Sequence, residues 1–206
     1  MKCIIVGAGD FNAAVFNSSH GDYIIAADGG YDYLTSIGCT PDVVIGDFDS
    51  RDGVPDHPNV IKLNKIKDET DMIAAVNLGL ERDYREFHIY GAAGGRLDHT
   101  LANIQTIAYL SKKQCSAYIY GDNYIITALT DGTITFDKSY TGMISIFSHD
   151  TAVSGVTLTG LKYPLDNVTL TNTFPLGISN EFTGTEASVT VNHGTVIILY
   201  LNKEIL

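Results

Sequence analysis

The pattern of apolar residues changes near residue 120, and this change constrains the fold more than any other feature of the chain. Up to about Tyr120, short apolar runs alternate with segments whose apolar residues recur at helical spacing. Strands that alternate with helices are typical of a sheet with crossover helices, and such strands are mostly parallel because helices cover them. We therefore predict a first half of α/β class, a three-layer α/β/α structure with a mostly parallel sheet.

Six strands and two helices are predicted in this first half. The strands are the short apolar runs at residues 3–6, 23–27, 43–45, 60–63, 87–90 and 117–120. The helices, at residues 72–80 and 97–108, carry apolar residues three or four positions apart. Both helices are therefore expected to pack one face on the sheet.

The second half has the pattern of an all-β structure. Helical spacing disappears after about Asn123, and ten threonines lie between Thr151 and Thr195 among frequent glycines. Because β-branched residues favour strands, we predict a small antiparallel β-sandwich. Its strands are predicted at residues 133–136, 143–147, 153–158, 168–170, 187–191 and 196–201. The predicted domains are residues 1–124 and 125–206, without a linker between them.

The composition favours small-molecule partners. The 206 residues are 45% hydrophobic, and the formal net charge is −11. Nucleic acids and anionic membranes are bound by clustered Lys and Arg, so this balance argues against both. Cys3, Cys39 and Cys115 are far apart and show neither disulfide nor zinc spacing. With no signal peptide and no apolar run long enough to span a membrane, we expect a cytoplasmic protein.

Acidic residues follow two of the predicted strands. Asp28 comes directly after the second strand, and Asp47 and Asp49 follow the third. Ligands of open α/β sheets bind beyond the carboxyl ends of strands. Two carboxylates two residues apart project to one side of an extended segment and can share a magnesium ion that also binds phosphate. The alternatives are a solvated acidic surface, or a turn in which Asp49 or Ser50 caps the next segment.

A second acidic segment precedes the helix predicted at 72–80. Asp68 and Asp71 are three residues apart, so they point from one face of the first helical turn, and Lys67 beside them is able to contact phosphate. Asp71 is then able to join the carboxylates after the third strand around one metal ion. Helix capping explains the same residue types equally well.

A glycine-rich turn, residues 91–95, lies between the strand at 87–90 and the helix at 97–108. Its N–H groups and the helix dipole suit a phosphate chain, but the Gly-Lys-Ser/Thr ending of a Walker A loop is missing. Arg96 is able to grip phosphate oxygens, and Asp98 either binds metal or caps the helix. His99 is either a ligand or, as is more common for a lone histidine in a first turn, a structural residue.

Taken in chain order, these segments resemble the motif series of the thiamine pyrophosphokinase family. The matching segments are ADGG at 27–30, GDFDS at 46–50, KDETD at 67–71 and GGRLDH at 94–99, followed by YPL at 163–165 and GISNEF at 177–182. The resemblance covers nearly the whole chain. It implies an α/β nucleotide-binding catalytic domain, a β-sandwich domain that binds thiamine, and a homodimer with active sites formed between subunits.

The resemblance also implies the reaction and the residues that perform it. A diphosphate group would pass from ATP to the hydroxyethyl oxygen of thiamine, with Mg²⁺ as cofactor and AMP as the second product. The implied metal ligands are Asp47, Asp49 and Asp71, and the implied catalytic residues are Asp71, Asp98 and Arg96. ATP would be bound by Asp28, Lys67, Arg96, His99 and Asn103, and thiamine by Ser179 and Asn180.

Three points stay open at the level of sequence. Either Asp71 or Asp98 is able to accept the alcohol proton. The chain has no tryptophan, so a tyrosine or phenylalanine replaces the indole on which some relatives stack thiamine, or the contact is missing. The same carboxylates also suit a magnesium-dependent nucleoside triphosphate pyrophosphohydrolase, and the second half suits a thiamine-binding protein without catalysis.

Overall fold

The structure is a computed structural model that describes residues 1–48, 55–64 and 69–201. It divides into two compact units, one formed by Met1–Thr106 and Ile119–Asp122 and the other by Ile107–Tyr118 and Asn123–Leu206. The predicted domain boundary between residues 124 and 125 stays a prediction. No helix within the described ranges is long and apolar enough to cross a membrane.

The first unit contains a parallel sheet and most of the helical residues. Its elements, in chain order, are β1 (Cys3–Val6), β2 (Tyr23–Ala27), α1 (Gly30–Ser36), β3 (Val43–Gly46), β4 (Val60–Lys62), α2 (Asp71–Glu81) and β5 (Glu86–Tyr90). Helix α3 (Leu97–Lys112) and strand β6 (Ser116–Tyr120) follow, and each has residues in both units. The pairings give the parallel order β5-β1-β2-β3-β4.

The strands at the centre of this sheet read as unbroken apolar runs because they are buried on both faces, as is typical of parallel strands. All four residues of β1 and all four of β3 are buried. The predicted strand and helix positions agree with the structure to within a few residues, as expected for element ends. Helix α1 was missed, because Leu34 is its only buried apolar side chain and leaves no helical period to detect.

The second unit is built from antiparallel strands. They are β7 (Tyr124–Phe136), β8 (Met143–Ser148), β9 (Ala152–Thr159), β10 (Leu165–Thr171), β11 (Gly177–Glu181) and β12 (Ala187–Leu201). Strand β12 pairs with β7, β8 and β9, while β10 pairs with β9 and β11 with β8. Their inward residues form one apolar core that includes Phe136, Ile144, Val189 and Ile198.

The two predicted strands at 187–191 and 196–201 are a single strand, β12, which is a correction to the sequence prediction. Its pairing with β7 shifts register between Val191 and Thr195, so the alternation of inward and outward residues is interrupted there. A β-bulge keeps the strand paired while it breaks the sequence pattern. The predicted strand at 133–136 is likewise the end of the longer β7, and β11 was not predicted as a strand.

Candidate active site

A cavity of about 410 Å³ opens in the first unit, beyond the carboxyl ends of β1, β2 and β5 and beside the first turns of α2 and α3. This is the edge where the sequence predicts ligand binding. The cavity is lined by Gly7, Ala8, Gly9, Asp10, Ala27, Asp28, Thr70, Asp71, Met72, Gly91, Ala92, Gly94, Gly95, Arg96, His99, Ala102 and Asn103.

The loop after β1 is fastened to the loop after β5 by backbone hydrogen bonds. Gly9 N donates to Gly91 O at 2.7 Å, and Asp10 N donates to Ala93 O at 2.9 Å. A Cβ atom on Gly9 would lie only 2.8 Å and 2.9 Å from those two carbonyl oxygens. The glycine is therefore required by the close approach of the two loops.

Three carboxylates from different loops meet at this edge of the sheet. One oxygen each of Asp28, Asp47 and Asp71 lies within 4.8 Å of the others, and all three residues are half-buried. Asp47 and Asp71 were predicted to meet in this way. Asp28, which was expected to bind ATP, is the third member, while Asp49 lies outside the described residues. Lys67, the other predicted ATP ligand of this region, also lies outside them.

Local backbone conformation places two of these carboxylates. Asp28 has a φ of +50°, in the left-handed region that aspartate tolerates better than most residues, and its N–H donates to Ile45 O at 2.9 Å. Gly46 permits this approach, since a Cβ atom there would lie 3.2 Å from the Asp28 Cα. Asp71 begins α2, whose N-cap Thr70 accepts a hydrogen bond from the Ile73 N–H at 3.2 Å.

This arrangement has the chemistry of a site for a hard divalent cation. Carboxylates held within 4.8 Å of one another repel, and a cation bound between them removes that repulsion. Magnesium and calcium both prefer oxygen ligands of this kind. Arg96 is the one Lys or Arg side chain among the described residues that line the cavity, so a polyphosphate requires further positive charge.

The start of α3 carries a pair of oppositely charged side chains. Arg96 Nη2 lies 2.6 Å from Asp98 Oδ2, and both side chains are exposed. The hydrogen bond to Asp98 raises the pKa of Arg96, and the same bond lowers the pKa of Asp98. Arg96 and His99 line the cavity, whereas Asp98 is neither in the lining nor in the carboxylate cluster. The structure thus does not bring Asp98 to the predicted metal region.

The predicted nucleotide ligand Asn103 is engaged with the backbone. It lies on α3, only 8% exposed, and its Nδ2 donates to Ala92 O at 2.7 Å. The residue still lines the cavity. Its side-chain amide therefore holds the glycine-rich turn from the side of α3.

The two predicted thiamine ligands differ sharply in exposure. Asn180 is 3% exposed, and its Oδ1 accepts hydrogen bonds from Tyr163 N and Glu181 N, each at 2.9 Å. Its Nδ2 donates to Tyr163 O at 2.7 Å, so the amide ties β11 to the turn before β10. Ser179 is exposed, and its N–H donates to Ser145 Oγ at 3.0 Å. Their roles toward thiamine stay predictions.

Asp10 lines the cavity although the sequence analysis gave it no role. It lies in the loop after β1, so it carries a positional signal of the same kind as Asp28 and Asp47.

Two family models match the chain. The model described as "Thiamin pyrophosphokinase, catalytic domain" matches residues 17–119, and the one described as "Thiamin pyrophosphokinase, vitamin B1 binding domain" matches residues 131–196. A thiamine pyrophosphokinase of Bacillus subtilis (strain 168) is 31% identical over 185 residues, which are 85% of this chain and 85% of that protein.

Solved structures share the fold over nearly the full length. A crystal structure of thiamine pyrophosphokinase from Bacillus subtilis has a TM-score of 0.86 at 26% identity and covers 98% of this chain and 99% of that one. The Geobacillus thermodenitrificans enzyme gives 0.84 at 28% identity, with 98% of each chain covered. The yeast enzyme gives 0.80 over 100% of this chain and 87% of its own, at 17% identity, where the likeness concerns the fold alone. The predicted combination of an α/β half and a β-sandwich half is confirmed.

Proposed function

The chain belongs to the thiamin pyrophosphokinase family, and we propose that it is an ATP:thiamine diphosphotransferase. It transfers the diphosphate group of ATP to the hydroxyethyl oxygen of thiamine and releases AMP. The observation that carries this proposal is the match of both the catalytic and the vitamin-binding family models in one chain. A pyrophosphohydrolase has no need of the second half, and a binding protein has no need of the carboxylate cluster, so both alternatives are disfavoured.

Mg²⁺ is the proposed cofactor, held by Asp28, Asp47 and Asp71. The fit rests on the donor set, which consists of three carboxylates with one oxygen each within 4.8 Å of the others. Magnesium bound there neutralises negative charge on the ATP phosphates. Asp49 was predicted as a further ligand and stays a prediction.

The residues of α3 and of the glycine-rich turn are proposed to bind the nucleotide phosphates. Arg96 donates from the edge of the cavity, and the first turn of α3 contributes its N–H groups and dipole. His99 lines the same cavity and is proposed to contact ATP, and Lys67 is proposed to assist. These contacts hold the β-phosphorus in line for attack, and positioning supplies most of the rate enhancement in reactions of this kind.

In the transfer step the thiamine oxygen forms a bond to the β-phosphorus while the bond from that phosphorus to the α,β-bridging oxygen breaks. AMP leaves with the electron pair of that oxygen, and the alcohol proton passes to a base. Asp98 is poorly suited to accept it, because the hydrogen bond from Arg96 lowers the pKa of the carboxyl group. We therefore propose that Asp98 holds Arg96 in place, and Asp71 stays the other base predicted from the sequence.

The second unit is proposed to bind thiamine, with exposed Ser179 as the residue that contacts it and Asn180 as the residue that shapes the strand. Homodimer formation and a cytoplasmic location are further proposals. The location is supported by three free cysteines, two of them buried, which suit a reducing compartment.

A product assay tests the proposal. The protein is incubated with ATP, Mg²⁺ and thiamine, and the nucleotides and thiamine species are separated. Thiamine diphosphate together with AMP is the expected result. AMP and diphosphate formed equally well without thiamine would indicate a hydrolase, ADP with thiamine monophosphate would indicate an ordinary kinase, and thiamine binding without turnover would indicate a binding protein.

A further inference from the structure

Four successive carbonyl groups of the glycine-rich turn each accept a hydrogen bond from a donor outside the turn. Two of the donors are backbone N–H groups of the β1 loop, and two are side chains of α3. The pairs are Gly9 N with Gly91 O at 2.7 Å, Asn103 Nδ2 with Ala92 O at 2.7 Å, Asp10 N with Ala93 O at 2.9 Å, and Thr100 Oγ1 with Gly94 O at 3.4 Å. These bonds restrain the peptide planes between residues 91 and 95, the one at Gly94 O least because its bond is long.

The same bonds fix the direction of the N–H groups. All peptide bonds of the described chain are trans, so the N–H of each residue points away from the carbonyl of the residue before it. The N–H group of each of residues 92–95 consequently points away from the donor that binds the carbonyl before it, and none of the four donates a hydrogen bond within the described part of the chain. Gly94 and Gly95 have φ values of +80° and +58°, as in backbone concavities that bind anions.

Asn103 is the buried side chain among these donors. The β1 loop binds Gly91 O and Ala93 O through backbone N–H groups, which a side-chain substitution leaves in place. The hydrogen bond from Thr100 to Gly94 O is long. The short bond from Asn103 to Ala92 O lies between them and joins the turn to the second turn of α3. Removing this amide therefore frees the peptide group whose N–H belongs to Ala93, at the centre of the turn.

We propose that Asn103 is a positioning residue for the diphosphate transfer, and that it acts on the nucleotide through Ala92 O without touching it. The proposal rests on the proposed function and replaces the direct ATP contact predicted from the sequence. By holding Ala92 O, Asn103 keeps the peptide group between Ala92 and Ala93 in one orientation, and with it the neighbouring turn residues that line the cavity, before ATP arrives. The turn is then already in its binding conformation, so no ordering is needed at the moment of binding.

Asn103→Leu tests this role, because leucine has a similar volume and neither donates nor accepts. We expect kcat/KM for ATP to fall about 100-fold, as for a small displacement of a positioning group, with the KM for thiamine unchanged. The measurement that separates positioning from contact is made on the nucleotide-free protein. Amide hydrogen exchange and ¹⁵N shifts at residues 91–95 should change in the variant before any nucleotide is added.

Thr106→Val is the matched control. Thr106 is a buried polar residue one turn further along α3, and its Oγ1 donates to Ala102 O at 2.9 Å, within the helix. The control should leave both the turn amides and kcat/KM unchanged. A loss of nucleotide affinity in Asn103→Leu with unchanged amides in the nucleotide-free turn would show direct contact and overturn the proposal, as would unchanged activity.

Two further measurements cover the remaining outcomes. If Asn103→Leu does not fold, hydrogen exchange of the Asn103 side-chain amide in the wild-type protein tests the proposal. A positioning role requires these amide protons to exchange slowly before any nucleotide is bound. Slow exchange that begins only on nucleotide binding contradicts it. If the wild-type protein shows no diphosphate transfer, the proposed function fails on its own. Inorganic diphosphate then serves as the probe, and equal affinity in wild type and Asn103→Leu overturns the positioning role.

Discussion

The guanidinium of Arg96 and the carboxylate of Asp98 form a two-point ion pair. Nη2 lies 2.6 Å from Oδ2, and Nε lies 3.2 Å from Oδ1. The side chains are 71% and 65% exposed, so solvent screens the pair and its contribution to stability is small. Its consequence is geometric, since it holds one face of Arg96 at the edge of the cavity and keeps the pKa of Asp98 low.

Arg96→Lys is expected to raise the KM for ATP and to lower kcat/KM roughly 10- to 100-fold, because a lysine offers no planar two-point contact to phosphate or to Asp98. The melting temperature should not change, since the side chain is exposed. Steady-state kinetics and thermal unfolding measure both quantities. Arg85→Lys is the control, because Arg85 is an exposed arginine outside the cavity lining that also contacts an aspartate. Equal kinetics in the two variants would remove Arg96 from the nucleotide site.

Asp71→Asn should reduce kcat about 1000-fold, which corresponds to about 4 kcal/mol of transition-state stabilisation. The variant loses one charged oxygen ligand, so the Mg²⁺ concentration at half-maximal activity should rise as well. Asp71 is half-buried at the helix start, and asparagine preserves its shape, so folding should be nearly intact. Asp32→Asn, in the first turn of α1, changes the same charge at an exposed position and should be silent. Wild-type activity in Asp71→Asn is the result that excludes a metal role.

Gly9→Ala should lower activity and stability together. The new methyl group would approach Gly91 O and Ala93 O to below 3 Å, so the two loops must separate. Overpacking of this kind costs roughly 1–3 kcal/mol, and the displaced turn should bind nucleotide less tightly. Chemical unfolding and nucleotide titration measure the two effects. Gly132→Ala is the control, since its nearest neighbour would lie at an ordinary contact distance of 3.4 Å. A tolerated Gly9→Ala would show that the loops are not tightly fastened.

Ser179→Ala and Asn180→Ala should separate recognition from folding. Asn180 is buried and satisfies both backbone groups of Tyr163, so its removal should cost roughly 2–3 kcal/mol by leaving these groups unpaired. Ser179 is exposed, so its removal should leave stability unchanged and raise the KM for thiamine. Urea unfolding and thiamine kinetics provide the two readouts. A stable Asn180→Ala variant with a raised KM for thiamine would instead assign direct recognition to Asn180.

Stability at acidic pH should depend on Asp150 in the second unit. Partial burial acts to raise the pKa of this carboxyl group, but hydrogen bonds from Lys112 Nζ at 2.7 Å and Thr195 N at 2.9 Å outweigh it and leave the pKa lowered. Because the folded-state pKa lies below the unfolded value, the stabilisation is present above about pH 4 and is lost as the pH falls through the folded-state pKa.

Asp150→Asn should therefore destabilise the protein by about 1 kcal/mol at pH 7 and by progressively less as the pH falls below 4. Unfolding curves measured across this pH range check the sign. Asp166→Asn, at an exposed position of strand β10, is the matched control. A difference between wild type and Asp150→Asn that persists at low pH would contradict the assignment.

Much of the candidate site was predictable because position along a strand is a local property. Asp28 and Asp47 each follow a buried apolar run, and Asp71 begins a segment with helical spacing. These signals need only neighbouring residues, so they place each carboxylate at the correct edge of the sheet. Which carboxylates approach one another depends on strand order and loop conformation, and there Asp28 joined the cluster while Asp98 stayed outside it.

The side-chain amides of Asn103 and Asn180 also separate what the sequence predicts from what the fold decides. Asn103 and Asn180 were assigned to ligands from motif resemblance, yet each donates to a backbone carbonyl, 11 and 17 residues away respectively. A buried amide is satisfied by whichever group the fold brings to it, and no local pattern identifies that group. Strand β12 shows the same for backbone pairing. Its bulge interrupts the alternation of apolar residues, so the sequence predicts two strands, while the pairing with β7 continues on both sides of the bulge.

The sequence by itself determined the order and kind of the elements, the change from a parallel to an antiparallel half, and the loops that carry chemistry, since these follow from the period of apolar residues and from local backbone preference. Only the tertiary structure decided which side chains meet. The approach of Asp28 and Asp71 brings together residues 43 positions apart, and their distance is fixed by the order of the strands together with the backbone conformation at each residue.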